Sequence, residues 1–285
     1  MESGDRLSGK TKLLYGVGDV GNAIVNSSVQ FFLLIFYTDA ALIGPALAAN
    51  ALLVGKLWDA VNDPLFGWLS DRTSSRFGKR RVFMIFGALP LAVSVMLLWF
   101  VPGGLSDTGL FVWVALTFVL FDTLWTLTNV PYYALTAELT DDYDERASLT
   151  TFRMVLGVPA YIVGAALTPV IVGLFAAQRA GYGVVGVLYG IIAAGVLWIA
   201  AAGLRERKEI SQARAESSPL RSEATMTFLD GILSTATALG LLLNAAAGWW
   251  WADPSAALIV AVFAANEARE NWEEAGEIGE TDSLG

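Results

Sequence analysis

The stretch Trp58-Asp59-Ala60-Val61-Asn62-Asp63-Pro64 lies in the middle of a long apolar segment of the chain. Asp59 and Asp63 are four residues apart, so both carboxylates lie on the same face of a helix. Two like charges are costly to bury in a membrane helix, and such pairs face a cavity or bind a cation. The stretch therefore predicts an ion-coupled membrane transporter. The alternative is that the two carboxylates form buried ion pairs with Lys56 or Arg153.

The composition also favours a membrane protein. Hydrophobic residues make up 55% of the 285 residues and charged residues 16%, against about 45–50% and about 25% in soluble proteins. The chain has no cysteine and no histidine, which excludes disulfides, thiolate chemistry and histidine proton relays. We expect no enzyme, no catalytic residue, no cofactor and no nucleic-acid binding, because no nucleophile–base arrangement, phosphate loop or metal-ligand cluster is present.

The apolar pattern predicts an all-α, polytopic membrane protein with about eight transmembrane helices. All of the 18 basic residues except Lys56 and Arg179 fall on one side of these spans. By the positive-inside rule both termini are then cytoplasmic, in a multi-pass protein of the cell membrane. The spans, each long enough to cross a bilayer, lie near 14–38, 43–68, 82–102, 109–135, 153–176, 182–204, 227–250 and 254–270.

Several motifs in the first six spans carry a family resemblance. Besides WDAVNDP they are YGVGDVGN at 15–22, FYTD at 36–39, GWLSDR at 67–72, SRFGKRR at 75–81 and NVPYYAL at 129–135. In this order and spacing, over about residues 10–208, they resemble the glycoside–pentoside–hexuronide:cation symporters, the melibiose permease branch of the major facilitator superfamily. The resemblance implies a six-helix half-bundle over residues 1–208. It also implies Na⁺- or H⁺-coupled symport of a sugar or related small polar solute.

The resemblance implies a cation site between spans two and four. Asp59 and Asp63 match its two carboxylates and Thr126 matches a neighbouring hydroxyl. Asn129 stands where the family has a carboxylate that serves both cation and sugar. An asparagine still offers an oxygen ligand but supplies no charge. These oxygen ligands suit a small hard monovalent cation, or a carboxylate takes a proton instead.

The resemblance also implies a solute site, with departures. Arg153 matches a sugar-contacting arginine, and Tyr133 stands where the melibiose permease has a tryptophan platform. Asn22 replaces a lysine, and Ala23 replaces the sugar-binding carboxylate of span one. Asp19, one turn earlier, is interpreted as a solvated residue near the cytoplasmic end. A galactoside is therefore disfavoured, and the solute stays open.

The loop from 71 to 81 matches the superfamily's cytoplasmic loop signature between spans two and three. The resemblance implies a gating loop that includes Asp71, Arg72 and Arg80, with Asp71 capping or pairing with a neighbouring helix end. A purely structural role is equally consistent with the sequence. Asp122, in span four, has no basic neighbour at helical spacing and receives no role.

The composition changes after residue 208. The polar composition of residues 209–225 predicts a cytoplasmic linker, and the composition of residues 273–285 predicts an acidic tail. Between them, residues 226–272 resemble the last two membrane helices of cation diffusion facilitators, including GWWWADP at 248–254. The matching metal-ligand positions are Asp230 and Ser234, so at best one good ligand remains. A structural hairpin is favoured over a working metal site.

Three hypotheses follow from this organisation. The first is a symporter that binds a small polar solute and a monovalent cation in the lipid bilayer. A complete superfamily member has two six-helix halves, and the sequence predicts one, so this hypothesis includes a homo-oligomer that assembles the pathway from two or more copies. The second is a divalent metal cation transporter that uses Asp230 with Asp59 and Asp63. The third is a truncated or recombined membrane protein that does not transport.

Overall fold

The computed structural model describes residues 6–206 of the chain. Within these residues the chain forms six long helices and no strand, which confirms the prediction of an all-α protein. The predicted spans near 227–250 and 254–270, the linker and the acidic tail lie outside the described residues. The helices are α1 (Gly9–Ile35, continued by a π-helical turn at Phe36–Ala40), α2 (Pro45–Arg72), α3 (Arg81–Leu98), α4 (Asp107–Leu139), α5 (Tyr143–Gly173) and α6 (Gln178–Gly203).

Five of the six helices are long and apolar enough to cross a membrane: α1 with its continuation, α3, α4, α5 and α6. The sixth, α2, has 28 residues, which is ample length for a crossing. It is less apolar because Lys56, Asp59 and Asp63 interrupt its central turns. The fold is therefore that of a polytopic membrane protein, in which α2 carries three charged residues in its central turns.

Polar caps extend several helices beyond the predicted apolar spans. Helix α5 begins at Tyr143 rather than near 153, because the carboxylate of Asp142 accepts a hydrogen bond from the Glu145 N–H at 2.9 Å. Likewise the hydroxyl of Ser8 caps α1, accepting from the Thr11 N–H at 3.2 Å. Hydropathy marks only the apolar part of each helix, so these polar first turns were outside the predicted spans.

Helix α1 lies between α5 and α6, while α4 packs on α2 and α3, and α3 also packs on α6. Small residues allow the backbones to approach closely, as is usual between membrane helices. A Cβ added to Gly164 of α5 would lie 2.8 Å from the Ile24 Cα of α1. This close approach sets α1 against α5, so that polar residues from the two helices meet.

Aromatic side chains fill the core at both ends of α1. Near its start, the rings of Tyr15 and Tyr132 stack with centroids 5.0 Å apart. At its other end, Phe36 packs against Trp99 and Tyr182, whose rings stack at 5.3 Å and 3°. These clusters fix the rotation of α1 and leave its middle turns for the candidate site.

Candidate cation and solute site

The α2 carboxylate Asp63 contacts α4, and the cation-binding role of Asp59 and Asp63 stays a prediction. The hydroxyl of Thr126 on α4 donates to Asp63 Oδ1 at 3.0 Å. One turn earlier on α2, Asp59 Oδ2 lies 3.7 Å from the Lys56 ammonium, and these two side chains are 37% and 64% exposed. Lys56 is thus a partner of Asp59, but the pair is open to its surroundings and not a sealed ion pair.

The predicted cation ligand Asn129 and the predicted solute residue Asn22 are direct neighbours. Both are buried, and the Asn22 side-chain N–H₂ donates to the Asn129 side-chain oxygen. Asn129 in turn donates to the main-chain oxygen of Trp125 at 3.0 Å. Asn129 lies one turn beyond Thr126, so this amide pair connects the α2–α4 interface to α1. Roles for both asparagines in binding stay predictions.

Tyr133 and Arg153 come together with a third residue that sequence reasoning had set aside. The Arg153 guanidinium lies 4.6 Å from the centroid of the Tyr133 ring, a cation–π contact. The Tyr133 hydroxyl donates to Asp19 Oδ1 at 3.3 Å. Asp19 is half-buried against Gly157, where an added Cβ would lie 2.6 Å from Asp19 Oδ2. The interpretation of Asp19 as a merely solvated residue is therefore wrong.

Asp122 is the second carboxylate that the sequence left without a role. It is buried on α4 and accepts a hydrogen bond from the Asn62 side-chain N–H₂ at 3.1 Å. Asp122 is four residues before Thr126, so both face α2. That spacing was visible in the sequence, but the contact with Asn62 depends on how α2 and α4 are rotated against each other.

Two of the three predicted gating-loop residues meet at one end of the bundle. The Arg80 guanidinium lies 2.7 Å from Asp71 Oδ1, donates to the Ser70 hydroxyl at 2.8 Å and lies 3.8 Å from Glu138 Oε1. Arg80 and Glu138 are buried, so this network joins the start of α3 to the ends of α2 and α4. A gating role for the network stays a prediction.

Arg72, the third predicted gating-loop residue, lies apart from this network. Its guanidinium stacks over the Trp68 ring at 4.3 Å from the centroid. Within residues 6–206, no group of three histidine, cysteine or carboxylate side chains could hold a metal ion. The predicted metal ligand Asp230 lies outside the described residues, so the facilitator-like hairpin stays a prediction.

Several helices long enough to span a bilayer, with carboxylates, amides and a guanidinium between them, define a multi-pass membrane protein with a polar site inside its bundle. Residues 14–252 match the family described as MFS/sugar transport protein. The chain belongs to this family of the major facilitator superfamily. The match extends beyond residue 208, where the sequence analysis ended the resemblance.

Three relatives that this chain resembles are named as symporters. An uncharacterized symporter of Synechocystis sp. is 36% identical over 250 residues, covering 84% of this chain and 46% of the relative. The inner membrane symporter YicJ of Escherichia coli is 37% identical over 168 residues, 59% of this chain and 36% of the relative. The sodium-dependent lysophosphatidylcholine symporter 1 of Gallus gallus is 34% identical over 268 residues, 81% and 48% of the two chains. The chain thus spans less than half the length of each of these relatives.

Proposed function

We propose that the protein acts in cation-coupled symport, moving a small polar solute together with Na⁺ or H⁺. The observation that carries the proposal is the carboxylate pair Asp59 and Asp63 in the central turns of α2, the helix that packs on α4. Asp63 is exposed and accepts a hydrogen bond from the Thr126 hydroxyl, and Asp59 is 37% exposed. Carboxylates within a bundle of membrane helices are costly unless a cation or proton compensates their charge. Reversible compensation is what coupling to an ion gradient requires.

Sodium is the first ion to test. Carboxylate, hydroxyl and amide oxygens are hard ligands that suit a small hard cation. The name of the Gallus gallus relative also specifies sodium dependence. A proton is the alternative, because either carboxylate can take one directly.

The solute side of the proposal rests on the cluster of Asp19, Tyr133 and Arg153. The Tyr133 side chain is 40% exposed, and an aromatic ring offers a face on which the C–H groups of a sugar can pack. A guanidinium supplies only donors and an ionised carboxylate only acceptors, a combination that suits the hydroxyl groups of a sugar or related polyol. We therefore propose a sugar as the first solute class, in line with the family description.

Sodium binding by the purified protein in detergent tests the cation site. Isothermal titration would compare the wild type with Asp63→Asn. A unit charge at about 4 Å contributes about 4 kcal/mol at an effective dielectric constant of about 20. We therefore expect the variant to bind sodium about a thousandfold more weakly. Asp107→Asn, which removes an exposed carboxylate at the start of α4, serves as the matched control and should bind like the wild type.

Two results would contradict the proposal in different ways. Equal sodium affinity in Asp63→Asn and the wild type would contradict the assigned site. A wild type with neither sodium binding nor solute-dependent proton uptake would contradict coupling altogether.

The solute panel should include simple sugars and lysophosphatidylcholine, the compound in the name of the Gallus gallus relative. Self-association stays a prediction, and light scattering on the same preparation measures it.

A further inference from the structure

The buried carboxylate of Asp122 lies directly behind the proposed cation site. Asp122 is 6% exposed and lies one turn before Thr126, whose hydroxyl donates to Asp63. It faces α2, where the Asn62 side-chain N–H₂ donates to its carboxylate at 3.1 Å. The α2–α4 interface therefore holds three carboxylates and one lysine, and only two of those carboxylates belong to the site that the sequence predicts.

Asp122 fixes the orientation of a buried amide. The Asn62 side-chain N–H₂ donates both to Asp122 Oδ2 and to the Asp122 main-chain oxygen, each at 3.1 Å. A main-chain oxygen can only accept, so this contact requires the nitrogen of the amide to face Asp122, and Oδ2 of the carboxylate accepts from the same nitrogen. The amide oxygen must then face away from Asp122.

Within residues 6–206 that amide oxygen has no hydrogen-bond partner. Asn62 is 0% exposed, and its Oδ1 is buried without a hydrogen bond. A buried polar atom without a hydrogen bond is costly, because nothing replaces the hydration that it lost on folding. A bound ion would supply the missing contact. Asn62 directly precedes Asp63 and is three residues beyond Asp59, so it shares a helix face with Asp59. The free oxygen therefore belongs to the same turn of α2 as the two carboxylates.

We infer that Asp122 is a positioning residue for the cation site: it holds the Asn62 amide so that Oδ1 stands ready as an oxygen ligand for a hard monovalent cation beside Asp59 and Asp63. This inference rests on the proposed function. Asp122 acts through Asn62 and not as a third carboxylate ligand. Within residues 6–206 no three acidic side chains are grouped closely enough to hold a metal ion.

Sodium titration of the purified 285-residue protein tests this role through two substitutions at one position. Asp122→Ala removes the side-chain acceptor, and groups that orient metal ligands typically contribute about 10–100-fold in affinity. We expect its sodium Kd to rise by about tenfold or more. Asp122→Asn keeps an oxygen that can accept from Asn62, so most of the affinity should return. Should Asp122→Ala not fold, Asp122→Ser replaces it, because the short hydroxyl cannot reach the amide in the same way.

A double-mutant comparison separates positioning from a general structural effect. In an Asn62→Ala background, Asp122→Ala should weaken sodium binding no further, because the amide that it positions is gone. Additive losses would overturn the inference, since a general loosening of α2 and α4 does not depend on Asn62. Wild-type affinity in Asp122→Ala, or equal losses in Asp122→Asn and Asp122→Ala, would also overturn it.

The failure of the proposed function gives a different pattern. If the wild type does not bind sodium, or if Asp63→Asn binds it normally, the assigned cation site is wrong and the inference falls with it. If Asp63→Asn loses sodium while Asp122→Ala does not, the proposed site stands and only the role of Asp122 is refuted. Asp107→Asn, on the same helix as Asp122, is the matched control for removing a carboxylate.

Discussion

Glu206, just beyond the end of α6, stabilises the start of α3, and its removal gives a sharp prediction. Its Oε1 accepts hydrogen bonds from the backbone N–H groups of Arg80 and Arg81 at 2.8 and 2.9 Å. Its Oε2 accepts from the N–H of Lys79 at 2.6 Å. Helix α3 has no side-chain cap of its own and no acidic residue in its first turn. Glu206 therefore pairs the N–H of Arg81, the first residue of α3, and the N–H groups of the two residues before it, and its charge is favourable at the positive end of the helix.

The size of the effect follows from the number of bonds and their partial exposure. A hydrogen bond to a charged group contributes about 1.5–3 kcal/mol, and the loss of a helix cap costs about 0.5–2 kcal/mol where water reaches the freed N–H groups. Because Glu206 is half-buried, the loss of its three hydrogen bonds should cost less than three fully buried charged bonds but more than a solvated helix cap. We expect Glu206→Ala to lower the free energy of unfolding by about 2–4 kcal/mol, and the melting temperature by about 5–10 °C.

Thermal unfolding in detergent, followed by the fluorescence of the 10 tryptophans, measures this effect. Glu206→Gln should show a smaller loss, because its one remaining oxygen can still accept while its N–H₂ opposes at least one backbone donor. Asp144→Asn, which removes an exposed carboxylate from the first turn of α5, controls for the change in net charge. Unchanged melting temperatures in both Glu206 variants would refute the idea that this carboxylate supports the start of α3.

Two further predictions concern contacts between helices. A Cβ on Gly55 would clash with the Phe118 ring, so Gly55→Ala should destabilise the protein by about 1–3 kcal/mol in the same melting assay. Phe118→Leu should recover part of this loss. A neutral Gly55→Ala would contradict the packing of α2 on α4. Lys12 Nζ lies 2.9 Å from Glu145 Oε2 and donates to the Ser148 hydroxyl at 2.9 Å, with the Lys12 and Glu145 side chains only 14% and 12% exposed. A double-mutant cycle of Lys12→Met with Glu145→Gln should therefore give a coupling energy of about 1 kcal/mol or more, and additive effects would show that the pair does not join α1 to α5.

The candidate site divides into residues that local sequence could find and residues that it could not. Asp59 and Asp63 were found because their four-residue spacing on one apolar helix is a local pattern. The contacts of Asp19 with Tyr133, and of Asp122 with Asn62, join residues far apart in the chain. No periodicity within a single helix encodes such contacts, because they depend on how two helices are rotated against each other.

The sequence by itself determined that the chain is a membrane protein and that residues 6–206 form six helices. It also determined which helix carries the paired carboxylates. Hydropathy and helical spacing are properties of neighbouring residues, so they can be found without a fold. Only the tertiary structure decided which polar side chains meet across helices. Close packing at small residues such as Gly164 fixes the rotation of each helix, and that rotation turns Asp19 and Asp122 towards partners on other helices.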